Sequence, residues 1–67
     1  LGSVTIPAGE TKVFVEQSSV TESSTILIQP NKTVEVYVEE IKPREGFYIT
    51  VSEDLGSEVS ARYLVFN

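Results

Sequence analysis

Short runs in which apolar and polar residues alternate, each closed by Pro, Gly, Asn or Ser, dominate this chain. A period of two sends successive side chains to opposite faces of an extended strand and cannot keep an apolar stripe on a helix. The residue types agree with the period. Val, Ile, Thr, Tyr and Phe fill the runs, alanine occurs only at Ala8 and Ala61, and no window repeats apolar residues at helical spacing. The pattern predicts an all-β fold, a six-stranded antiparallel β-sandwich or flattened barrel.

The strands follow in order. "SVTI" leads through the turn "PAGE" into "TKVFVE", where Pro7 presets a turn and Gly9 permits positive φ. The polar stretch "QSSVTESS" (17–24) is a loop or a crossing between sheets, with Val20 as the residue to tuck beneath it. "TILIQ" is the third strand; "PNK" then turns the chain into "TVEVYVEEI", and "KPREG" turns it again into "FYITVS". "EDLG", with Gly56 placed for positive φ, precedes the last strand, "EVSARYLVFN". The alternation breaks at Glu39–Glu40. Either a bulge returns Ile41 to the inner side, or the strand ends at Val38.

Parity within each run separates two rows. The inner row holds Val4, Ile6, Val13, Val15, Ile26, Ile28, Val34, Val36, Val38, Phe47, Ile49 and Val51. Val59, Ala61, Tyr63 and Val65 continue it on the last strand. The second row carries Phe14, Leu27, Tyr37, Tyr48, Leu64 and Phe66 among charged and hydroxyl residues, Arg62 included. The third strand and the end of the last are thus apolar on both sides, which calls for something to cover them. The loop 17–24 could fold over them, the tyrosines could shelter a wet face, or a partner chain could provide the cover.

Size sharpens that question. A chain of 67 residues is one small domain, burying only ~60% of the surface its unfolded form exposes. Such scaffolds gain stability from disulfides, a metal or association. There is no Cys and no His, which removes disulfides and the commonest zinc ligand. Association with copies of itself, or with the rest of a larger parent chain, is the expectation that remains. Leu1–Ser3 read as a remnant of an expression tag, with the domain proper spanning 4–67.

Ten acidic against five basic residues give a net charge of −5 and a pI near 4.4. Acidity of this degree disfavours nucleic acid and anionic lipid as partners. No apolar run reaches the ~18 residues of a membrane span. Without Cys or His, nucleophilic triads and imidazole acid–base work are unavailable. Glu39, Glu40, Glu53 and Asp54 are carboxylates, yet they sit as neighbours along the chain rather than facing across a cleft. The expectation is therefore no enzyme, no cofactor and no catalytic residue. Glu53, Asp54 and Glu58 lack the spacing of a calcium loop and read as solvated turn carboxylates, so no metal site is expected. Asn31-Lys32-Thr33 matches an N-glycosylation acceptor, a pattern that chance produces often.

"VTIPAGETKVFV", "STILIQP", "GFYITVS" and the closing "YLVFN" together resemble small β modules at the ends of bacterial surface proteins and phage tail fibres. The resemblance spans nearly the whole chain, through generic β-turn signatures. It implies a structural or adhesive unit, often trimeric, on a cell surface, in the extracellular space or on a virion. Two functions follow as expectations. One is assembly through the second row, with Phe14, Leu27, Tyr37, Tyr48, Leu64 and Phe66 as the interface. The other is carbohydrate binding, with Tyr37 and Tyr48 as a stacking platform; the absence of Trp weakens the latter.

Overall fold

The computed structural model describes all residues, Leu1–Asn67, and contains six strands and no helix. They are β1 (Gly2–Ile6), β2 (Lys12–Glu16), β3 (Thr25–Pro30), β4 (Val36–Lys42), β5 (Gly46–Val51) and β6 (Val59–Phe66). Two antiparallel three-stranded sheets form, in the orders β1–β6–β3 and β2–β5–β4. They stack as a β-sandwich with no closed barrel. Only β4 and β5 are joined as a hairpin; every other connection carries the chain from one sheet to the other.

The inner row is the core. Ile6, Val15, Phe47, Ile49, Val51, Val59, Ala61 and Tyr63 are buried, while Val4, Val13, Ile26, Ile28, Val34, Val36, Val38, Ile41 and Val65 pack around them. At the centre, Phe47 of β5 and Tyr63 of β6 join the two middle strands, their rings edge-on at 5.3 Å between centroids. Val20 is completely buried although it belongs to the polar stretch 17–24. Its carbonyl accepts from the Arg44 amide at 2.9 Å, and the Asn67 amide group donates to the Ser19 carbonyl at 2.9 Å. That loop therefore plugs one end of the sandwich.

Local chemistry accounts for the turns. The Glu10 amide bonds the Pro7 carbonyl at 3.1 Å with Gly9 at φ +85°, a type II turn in which Pro7 opens the turn rather than taking its second position. The bulge falls between Val38 and Glu40, and it returns Ile41 to the core opposite Phe47. Strand limits shift slightly from the sequence pattern. Thr33–Glu35 precede β4 rather than joining it, tied to the neighbouring strand by one bond from the Ser52 amide to the Glu35 carbonyl. Pro30 ends β3, which is an edge strand where its missing N–H is tolerated. Gly2 and Ser3 lie within β1, opposite Tyr63 and Arg62.

Two backbone positions make opposite predictions. A Cβ on Gly46 (φ +154°) would lie 1.9 Å from the Val15 carbonyl oxygen, so Gly46→Ala must displace β2 from β5. We expect it to cost about 3 kcal/mol or more in urea unfolding. Arg44 holds φ +66° at the third position of the Lys42–Glu45 turn, where glycine is preferred. Arg44→Gly relieves ~1 kcal/mol of left-handed strain and loses part of that to unfolded-chain entropy. A small rise in melting temperature is expected.

Candidate functional site

The six second-row residues do not form one surface. Phe14, Tyr37 and Tyr48 stand on β2, β4 and β5, whereas Leu27, Leu64 and Phe66 stand on β3 and β6. Outward parity in both sheets places the two trios on the opposite outer faces of the sandwich. The two faces differ in how far they are already covered.

On the β2–β5–β4 face, Phe14 and Tyr48 are direct cross-strand partners with ring centroids 5.0 Å apart, edge to face. Phe14 also lies over Gly46, which has no side chain of its own to shield the strand. Lys12 sets its ammonium 4.5 Å from the centre of the Tyr48 ring and pairs with Glu39 at 3.2 Å. The Thr50 hydroxyl donates to the same Glu39 oxygen atom at 3.0 Å. These two hydrogen bonds, the Lys12 one foremost, together with the charge of Lys12, hold the Glu39 carboxyl below the ordinary carboxylate value. Phe14 and Tyr48 are thus half-buried parts of a knit surface. Tyr37, 47% exposed, is the one aromatic ring left open there.

The β1–β6–β3 face is different. Leu27 opposes Leu64 across the β3–β6 ladder, and Phe66 opposes Thr25 in the next outward row. Leu27 is 56% and Phe66 49% exposed, with Leu64 half-buried between them. A shallow open groove runs here, lined by Leu1, Leu27, Gln29, Arg62 and Leu64. The loop 17–24 leaves the patch open, because that loop is spent on the end of the sandwich. Towards the other end the face turns polar, through Thr5, Gln29 and Ser60, with the Thr5 and Ser60 hydroxyls 3.4 Å apart.

Arg62 was visible in the second row, but its significance needed the sheet order. It is the only charged residue in β1, β3 and β6. By contrast, β2 and β4 carry Lys12, Glu16, Glu39, Glu40 and Lys42. The ion pairs, Lys12–Glu39 and Lys42–Glu40, both lie on the charged face, so Arg62 has no acidic partner.

The turn carboxylates have local roles. Asp54 Oδ1 accepts from the Gly56 amide at 2.9 Å and the Gly9 amide at 3.2 Å, tying two turns together. No three His, Cys, Asp or Glu side chains converge as metal ligands. Asn31 continues the β3–β6 pairing past Pro30: its amide bonds the Ser60 carbonyl at 2.8 Å, and its side-chain oxygen accepts from the Ser60 amide at 3.0 Å.

A carboxylate whose folded pKa is lowered adds stability above its unfolded pKa and loses it as pH falls through the folded one. The Glu39 side chain is 49% exposed and screened by solvent, so its share is small. Stability should fall less steeply in Glu39→Gln than in the parent chain between about pH 5 and pH 3, as read from urea midpoints. An unchanged slope would mean that the Lys12–Glu39–Thr50 cluster contributes nothing in solution. Comparison of the chain with protein families, curated proteins and solved structures finds no match, so the functional reading rests on these two faces.

Proposed function

We propose that this chain is a non-catalytic structural module that self-associates through an apolar outer face as part of a larger extracellular or virion surface protein. The observation that carries the reading is the patch of Leu27, Leu64 and Phe66, apolar and half-open to water on a sheet whose strands hold a single charged side chain. Exposed apolar patches of this kind on small domains mark contacts. Each large side chain removed from water there contributes ~1.5–3 kcal/mol before the cost of association. The resemblance to surface-protein and tail-fibre modules supports the same role and setting.

The carbohydrate-binding alternative has less support. A sugar platform needs open ring faces, yet Tyr48 is engaged by Lys12 and Phe14. Tyr37 alone remains free to stack.

Sedimentation at micromolar concentration tests the assembly reading. The parent chain should associate, and both Leu27→Glu and Phe66→Glu should weaken association at least about tenfold, by burying a charge among apolar groups. Both positions are exposed, so the fold should survive. A parent chain that stays monomeric throughout, with Tyr37→Ala abolishing binding on a glycan array, would favour the carbohydrate reading instead.

A further inference from the structure

We propose that copies of this chain stack head to tail, the β1–β6–β3 outer face of one packing on the β2–β5–β4 outer face of the next. The proposal rests on the assembly reading above and adds which surface covers the apolar patch.

Charge decides between the possible pairings. Two β1–β6–β3 faces together would bring Arg62 of both copies into a contact whose strands contain no carboxylate. A guanidinium losing water without a counter-ion is costly. Two β2–β5–β4 faces together would leave Leu27, Leu64 and Phe66 uncovered and Arg62 without a counter-ion. Of the three, the mixed pairing is the one that both covers the apolar patch and brings carboxylates to Arg62. The strands of the charged face sum to −1, from three glutamates, Lys12 and Lys42, and Arg62 gives the other face +1.

The chemistry of the mixed contact is also complementary in detail. Glu39 is taken by Lys12 and Thr50. Glu40 is held only loosely, 4.0 Å from Lys42, and Glu16 has no ion-pair partner, so these two are the carboxylates available to Arg62. Tyr37, the exposed ring on that face, offers an amphipathic partner for Leu27 and Phe66.

Geometry sets the form of the assembly. A contact between two different patches closes into a ring only if the patches incline towards each other. Here they lie on the opposite sides of a body measuring 32 × 16 × 15 Å, so each added copy exposes a fresh face and growth stays open-ended. That differs from the closed trimer implied by the resemblance to tail-fibre modules.

Two exposed-site variants test this, each disabling one face. Phe66→Glu removes the apolar patch, and Tyr37→Lys sets a cation opposite Arg62. By analytical ultracentrifugation the parent chain should gain mass progressively with concentration. Each variant alone should stay monomeric, and an equal mixture should form a 1:1 dimer that grows no further, since only one complementary pair of faces remains. Circular dichroism checks that both variants keep their strands. Dimerisation of Tyr37→Lys alone, a closed species of fixed size from the parent chain, or no dimer in the mixture would each overturn the head-to-tail arrangement while leaving association itself standing. A parent chain monomeric at every concentration would overturn both.

Discussion

Phe47 and Tyr63 meet edge to face between the middle strands of the two sheets, and the other parts of the fold are arranged around that contact. Neither three-stranded sheet could hold its inner surface out of water alone. Packed together, they place β5 and β6 back to back, and the flanking strands then seal the sides with Val and Ile. The rest of the Tyr63 ring covers Gly2 on β1, where any side chain would collide with it. The same pair thus joins the sheets and fixes how closely the first strand can approach. Val20 closes one end of the core, and the Asp54 carboxylate ties together turns that begin and end the sandwich connections.

Because the chain alternates sheets at nearly every turn, most pairing is non-local. β1 and β3 both pair with β6, and β2 finds β5 across two intervening strands. This has a consequence for function. Strands β1, β3 and β6 are far apart in sequence and poor in charge, and folding gathers them into one sheet. The charged strands β2 and β4 gather on either side of β5. An acidic protein thereby acquires one face almost free of charge, where a neighbour can approach without carboxylate repulsion.

The two trios of second-row side chains illustrate how one sequence signal can carry two meanings. Phe14 and Tyr48 are outward by parity, yet they serve their own sheet, shielding Gly46 and packing against each other and Lys12. Leu27 and Phe66 have equivalent parity and no such neighbours within the chain. Alternation records which way a side chain points. It is silent on whether the next strand brings an aromatic ring, a lysine stem or only water.

Strand number, the inner row from Val4 to Val65 and the Gly9 and Gly56 turns were determined by the sequence, because period-two patterning and turn residues act over a few neighbouring positions; at Glu39–Glu40 the sequence marked only a break, and the structure resolves it as a bulge. Even Val20, one apolar residue in a polar stretch, announced its burial. Sheet order was decided only in the tertiary structure. A period of two is the same for every strand and holds no information about which partner lies alongside, so the packing of Phe47 on Tyr63 and the long-range pairings had to settle it. That choice divided the six outward apolar residues between two opposite faces, left Leu27, Leu64 and Phe66 beside an unpaired Arg62, and set the glutamates on the far side.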